Sequence, residues 1–241
     1  MAKIHAVLQG KGGVGKSMVA SMIAQYLTTP DGGLPLCIDT DPVNATFTGY
    51  EALEVKRLNI MDGKKIDPRK FDVMIDMVAG EQRNVVIDNG ASTFVPLSNY
   101  LITNQVPALL REMGHDLIVH TIITGGQALL DTVNGFAQLL SQYPEECQFV
   151  TWLNPYWGPV EHDGKKFEQM KAYVANKGRL AAIIDLPLLE DDARVDFNEM
   201  LQSRRLFDEV LNSKDISIMS RQRLKIAKRD LFAQMDNAAV F

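Results

Sequence analysis

Eight consecutive residues, Gly10-Lys11-Gly12-Gly13-Val14-Gly15-Lys16-Ser17, constrain the fold more than any other stretch of the chain. They set glycines, a lysine and a hydroxyl residue at the spacing of a phosphate loop, with an extra lysine near the start. The flanks fit that reading. Ile4-His5-Ala6-Val7-Leu8 reads as a short apolar strand, and Val19, Met22, Ile23, Tyr26 and Leu27 then recur at helical spacing. In a strand–loop–helix unit the glycines let successive backbone N–H groups close around phosphate oxygens, and the helix start adds partial positive charge. Gly12, Gly13, Val14, Gly15, Lys16 and Ser17 are therefore expected to bind nucleotide. Lys16 would reach the β- and γ-phosphates and the Ser17 hydroxyl would ligate Mg²⁺. The plain alternative is a glycine-rich turn with two solvated lysines.

The rest of the chain alternates strands and helices. Turn signals at Thr28-Thr29-Pro30-Asp31-Gly32-Gly33 precede a strand at 34–38. A helix is expected over 68–80, with Asp67 as N-cap and Pro68 behind it, then a strand at 84–88. Residues 94–112 read as helix kinked or divided at Pro107, followed by a strand at 117–123 and a helix at 127–142. Strands at 149–153 and 180–184 flank a helix expected over 165–177, and the chain from Asp192 onward reads as helical. This order predicts an α/β fold of Rossmann-like, P-loop NTPase type: a mostly parallel sheet with helices on both faces. One domain spanning 1–241, with a helical C-terminal part at 192–241, is the expected organisation. Ligands in such sheets bind beyond the carboxyl ends of the strands, where Gln9, Asp39, Asp88, Gly125 and Asn154 all fall.

Composition excludes several classes. With 46% hydrophobic and 23% charged residues and a net charge of −5, the chain is neither disordered nor a uniformly basic nucleic-acid binder. Cys37 and Cys147 have no metal spacing and are expected as reduced thiols; His5, His115, His120 and His162 form no HExxH pattern and are expected to be structural or surface residues. The start Met-Ala-Lys-Ile-His reads as lacking a signal peptide, and no apolar run approaches 18 residues, so a cytoplasmic location is expected.

Two acidic segments bear on chemistry. Asp39-Thr40-Asp41-Pro42 follows a strand, where carboxylates beside Mg-nucleotide could orient metal-bound or attacking water; an Asx-Pro turn explains the same residues. Asp88 ends the apolar run Val85-Val86-Ile87, where a carboxylate is costly unless a cation or hydrogen bonds receive it. Mg²⁺, reached through a water, would do so.

Lys11-Gly12-Gly13-Val14-Gly15-Lys16-Ser17 resembles the deviant Walker A box of the ParA/MinD family of ATPases. The resemblance implies ATP and Mg²⁺ as cofactors and an ATP-bound homodimer, with hydrolysis that is weak or partner-stimulated. It implies that Lys11 contacts phosphates across the dimer interface and that Gly12 permits the close approach. Lys16 and Asp41 would join Lys11 as catalytic residues, Asp41 positioning the hydrolytic water and Asp39 supporting the metal beside Ser17 and Asp88. Val85-Val86-Ile87-Asp88 resembles a Walker B strand, with Asn89-Gly90-Ala91-Ser92 as a second switch. Asn154 resembles the family's adenine-contacting asparagine, and Leu186-Pro187 with Glu190-Asp191-Asp192 resembles its late segment near the base. The chain departs from the family where Pro42 is followed directly by Val43-Asn44-Ala45-Thr46, one residue shorter and without the usual Gln and Gly. Segments such as Cys37-Ile38-Asp39-Thr40-Asp41-Pro42-Val43-Asn44 and Trp152-Leu153-Asn154-Pro155-Tyr156-Trp157-Gly158 are also similar to conjugal-transfer proteins of conjugative plasmids. That similarity implies a role in plasmid transfer and a partner in the conjugation machinery or bound to DNA.

The partner surface stays open at this point. Arg221, Arg223, Lys225, Lys228 and Arg229 cluster without an acidic residue, while Leu224, Ala227, Leu231 and Met235 would share one helical face. A solvated outer face, a nonspecific DNA patch as in ParA-like relatives and a membrane-surface helix like the MinD tail are the three readings. Two further functions compete with an ATPase switch: a nucleotide-gated binding module with negligible hydrolysis, and a phosphotransferase or ligase on the same fold. An electron-transfer ATPase would need cysteines near the second switch, where none lies.

Overall fold

A computed structural model describes residues 2–189 and 191–241. The chain begins with β1 (Lys3–Val7), α1 (Lys16–Leu27) and β2 (Leu36–Asp39). Three short strands follow, β3 (Lys56–Arg57), β4 (Met61–Asp62) and β5 (Lys65–Ile66), then α2 (Phe71–Ala79) and β6 (Val85–Asp88). Next come α3 (Phe94–Thr103), α4 (Val106–Glu112), β7 (Asp116–Thr124), α5 (Leu129–Gln142) and β8 (Gln148–Asn154). The hairpin of β9 (Glu161–His162) and β10 (Lys165–Lys166) leads to α6 (Lys171–Asn176) and β11 (Leu180–Asp185). The chain closes with α7 (Asp191–Gln202), α8 (Phe207–Asn212) and α9 (Ile218–Ala238).

Seven strands form one sheet in the order β11-β8-β7-β1-β6-β2-β3, and every pairing in it is parallel. Parallel strands covered on both faces need apolar residues on both sides of the pleat. In β1, Ile4 and Ala6 pack toward α2, α3, α4 and α5, while Val7 packs toward α1, α8 and α9. The α9 stripe is met residue for residue: Leu224, Ala227, Leu231 and Met235 are all buried. The chain leaves β1 for β2 on one side and later builds β7, β8 and β11 on the other. The loop after β1 therefore sits at the crevice where the winding changes direction.

His5 and His120 are fully buried, pack against Phe241 and join Trp152 in a short hydrogen-bonded chain. Trp152 donates to His120 Nδ1 at 3.0 Å, and His120 Nε2 lies 2.9 Å from His5 Nδ1. Burial pushes the His5 imidazole down to about 3 and His120 well below its usual range, so both are neutral and structural. Cys37 and Cys147 are buried free thiols, pushed up by burial to about 12 and about 11.

Several sequence expectations are corrected. Pro107 neither kinks nor divides a helix; the break lies at Asn104–Gln105, where Gln105 adopts φ 51°, and Pro107 sits in the first turn of α4. A missing N–H costs nothing there. The helix expected over 165–177 is only α6, because Asp163 and Gly164 turn the chain into the β9–β10 hairpin first. The C-terminal region is three helices, interrupted at Arg204 (φ 53°) and before the Ser217 N-cap. Asp67 does cap, but over a 3₁₀ turn (Pro68–Lys70) that precedes α2. Among the described residues no helix is long and apolar enough to cross a membrane.

Candidate nucleotide site

The loop after β1 takes the shape its glycines allow. Gly13 (φ 73°) and Gly15 (φ 103°) occupy the left-handed region, and Gly15 caps α1 with its carbonyl accepting from Val19 N at 2.9 Å. Gln9 anchors the entry: its Nε2 donates to the Ile122 carbonyl at 3.0 Å and its Oε1 accepts from Gly10 N at 2.8 Å. Lys16 is buried, with Nζ donating to the Lys11 carbonyl at 2.9 Å across the loop. Burial lowers its pKa, and the carboxylates of Asp88 and Asp41 pull it back up. The Lys11 ammonium lies on the surface, paired with Asp131 Oδ2 in the first turn of α5 at 2.7 Å.

The three aspartates have different environments. Asp88 is 1% exposed and neither carboxylate oxygen accepts a hydrogen bond of full geometry, although the Ser17 hydroxyl faces it. Burial pushes its carboxyl up to about 7; the Ser17 hydroxyl and Lys16 oppose that rise, and Asp39 and Asp41 add to it. An orphaned carboxylate facing a lysine and a serine at a helix start is the polar environment a hydrated Mg²⁺ satisfies. Among the described residues no cluster of His, Cys, Asp and Glu could hold a metal alone, so phosphate oxygens and water would complete the shell.

Asp39 is buried but satisfied. Its oxygens accept from Asp41 N at 2.9 Å, Thr48 N at 3.0 Å and Thr48 Oγ1 at 3.0 Å. Asp41 Oδ1 accepts from Val43 N and Asn44 N at 2.8 and 3.0 Å, so the Asx turn over Pro42 is real. Its carboxylate also lies against Gly90, where a Cβ would fall 2.5 Å from Asp41 Cγ. The two strand-end loops are joined further: Thr40 N and Oγ1 donate to the Asp88 carbonyl, and Thr93 Oγ1 donates to the Thr40 carbonyl. Thr48 and Thr93 were not singled out in sequence, because their partners lie up to 53 residues away.

Asn154, at the end of β8, hydrogen-bonds within the chain through both polar atoms of its amide. Nδ2 donates to the Val14 carbonyl at 2.9 Å and Oδ1 accepts from Tyr156 N at 3.0 Å. Beside it a cavity of about 540 Å³ opens against Gly13 and Gly15, walled by Trp157, Pro187 and α7 residues Arg194, Phe197 and Asn198. Its volume is within the usual range of small-molecule pockets, and its walls are mainly apolar. Pro187 is thus beside the loop, whereas Glu190 lies outside the described residues.

The basic run of α9 is largely neutralised by neighbours. Arg223 pairs with Asp196 of α7 at 2.5 Å, Lys228 with Asp208 of α8 at 2.6 Å, and Arg229 with the adjacent Asp230 at 2.7 Å. Arg221 and Lys225 make no ion pair among the described residues.

No protein-family model matches the chain. Two Escherichia coli proteins, each named Protein TraL, are 67% and 64% identical to it over 241 residues, covering 100% of this chain and of each relative. Among solved structures, a chain of the MinC:MinD cell division protein complex of Aquifex aeolicus matches with a TM-score of 0.52 at 12% identity, over 96% of both chains. At that identity the likeness is one of fold, and the fold is the one the ParA/MinD resemblance implies.

Proposed function

The chain belongs to the TraL family, and from that premise we propose that it is a ParA/MinD-type Mg-ATPase whose nucleotide state switches dimerisation in plasmid conjugative transfer. The observation that carries this reading is Asp88: a buried carboxylate that accepts no hydrogen bond of full geometry, beside Lys16 and Ser17 and at the foot of a glycine-lined helix start. Backbone N–H groups of residues 12–17 and Lys16 would hold the β- and γ-phosphates, with the base in the cavity beside Gly13 and Gly15. Mg²⁺, held by Ser17 and through water by Asp88, would neutralise phosphate charge. Asp39 would serve the metal side indirectly, by fixing the Asp41 and Thr48 backbone. Asp41 would orient the attacking water, and Lys11 would leave Asp131 to reach phosphate across a dimer.

Conjugation-machinery or DNA-bound proteins are the partner class this reading favours. The paired cations of α9 favour its role as a packed structural face; DNA binding there would fall to Arg221 and Lys225, and a membrane contact has less support still.

One observation supports a second reading, a nucleotide-gated binding module with negligible turnover: Asp41 is already engaged by Val43 and Asn44 N–H groups. Light scattering with Mg-ADP and Mg-ATP, alongside phosphate release, tests both. An ATP-specific dimer with slow release supports the switch ATPase. A dimer without release supports the binding module, and an unchanged mass with transfer of phosphate to an acceptor supports a phosphotransferase.

A further inference from the structure

Residues 56–70 carry six of the chain's 25 Lys and Arg side chains, against two carboxylates, in a chain of net charge −5. The segment closes one edge of the large sheet with β3 and then folds into the β4–β5 hairpin. Two hydrogen bonds pin the base of that hairpin: Asp67 N donates to the Ile60 carbonyl at 2.9 Å, and Lys70 Nζ donates to the Met61 carbonyl. The other five cations, Lys56, Arg57, Lys64, Lys65 and Arg69, are exposed. Among the described residues the first four make no ion pair, and Arg69 comes only within 3.9 Å of Asp67. Asp67 already caps the 3₁₀ turn by accepting from Arg69 N at 3.0 Å, which leaves Asp62 as the opposing carboxylate within the segment. On α9, by contrast, Arg223, Lys228 and Arg229 are each matched by an aspartate.

We propose that the β3–β5 surface docks the phosphate backbone of duplex DNA through Lys56, Arg57, Lys64, Lys65 and Arg69. Backbone contacts need cations and no apolar centre. The segment has that composition: it holds no aromatic residue, Leu58 and Ile60 are buried, and none of the exposed large apolar side chains lies in it. A protein partner needs an apolar centre within the polar rim, and single-stranded DNA needs aromatic rings on which bases stack. Arg57 is already held, because its Nη2 donates to the Pro42 carbonyl at 3.1 Å. Less side-chain freedom is then lost when the rest of the guanidinium meets phosphate. Charge on an edge strand also deters pairing between sheets, which accounts for Lys56 and Arg57. Lys64 and Arg69 lie off the strands, in a turn and in the 3₁₀ turn, where no edge needs guarding. Glu51 and Glu54 before the segment and Asp72 after it end the positive stretch. The surface is complete within one chain and stands apart from the nucleotide reading.

The test is fluorescence anisotropy of a labelled duplex of about 30 base pairs and mixed sequence, titrated with the full nucleotide-free chain over a salt series. Dissociation constants of about 10⁻⁴–10⁻⁶ M are expected, with log affinity falling against log salt at a slope of about −4, as five phosphate contacts give. The double variant Lys64→Ala/Lys65→Ala, which leaves Arg57 on Pro42, is expected to reduce that slope by about 2 and to weaken binding roughly tenfold to hundredfold at about 0.1 M salt. Lys56→Ala/Arg69→Ala, at separate positions, is expected to do the same, and both should keep the wild-type urea midpoint. Arg221→Ala/Lys225→Ala on α9 is expected to bind within about twofold of wild type. Loss of the slope in the α9 variant and not in the other two would overturn the proposal. So would absence of duplex binding at about 0.05 M salt or tighter binding of a length-matched single strand. Displacement of the duplex by a lower concentration of poly-glutamate of matched charge would make an acidic protein the ligand class instead. Each of these failures leaves the phosphate-loop assignment untouched.

Discussion

Replacing Asp88 with Asn tests the site through stability as well as function. The wild-type carboxyl is buried without a hydrogen bond of full geometry and is pushed from the usual 3.8 up to about 7. A carboxyl that holds its proton more tightly when folded makes stability fall as pH rises, because the native state binds more protons than the unfolded one. The penalty is absent below the unfolded pKa, grows between about 4 and 7, and is complete above 7. At about 1.4 kcal/mol per pH unit, the gap between 3.8 and about 7 amounts to about 4 kcal/mol as an upper limit. Asn keeps the shape and removes the charge. Nucleotide-free Asp88→Asn should therefore be more stable than wild type by several kcal/mol at pH 8 and by only about 1 kcal/mol at about pH 4.5, by urea unfolding in chelator. Saturating Mg-ATP should narrow the difference at pH 8, since a cation near Asp88 relieves wild type alone. If the variant is no more stable at pH 8, or the gap does not shrink with acid, Asp88 is not an uncompensated buried charge and the metal-side argument fails.

Three further outcomes are expected. Lys16→Ala should abolish Mg-ATP binding by calorimetry, and retained wild-type affinity would displace the phosphate site from this loop. Asp41→Ala should bind Mg-ATP but release no phosphate, so that an ATP-dependent dimer persists in light scattering; normal turnover would place water positioning elsewhere. Leu231→Ala, at a fully buried position of α9, should cost about 2–5 kcal/mol in urea unfolding without changing ATP affinity. A cost below about 1 kcal/mol there would mean that α9 is not packed on the sheet as described.

What the sequence determined was whatever depends on neighbours along the chain. The phosphate loop, the alternation of strands and helices, the α9 stripe and the carboxylate at the end of β6 are encoded by spacings of a few residues. Periodicity failed where a tight turn took precedence: Asp163 and Gly164 turn back a stretch whose composition reads as helix. The tertiary structure decided what each polar group is used for. Asn154 reads in sequence as a base contact, and its amide also ties the loop, because β8 ends beside Val14 only once the sheet is assembled. The basic run on α9 reads as an open cation surface, yet Asp196 and Asp208 reach it from helices packed alongside. The cavity beside Gly13 has no local signature, since its walls come from four separate chain segments. Hydrogen bonding and burial are set by strand order and layer packing, and a one-dimensional pattern holds no record of which side chain will meet which carbonyl.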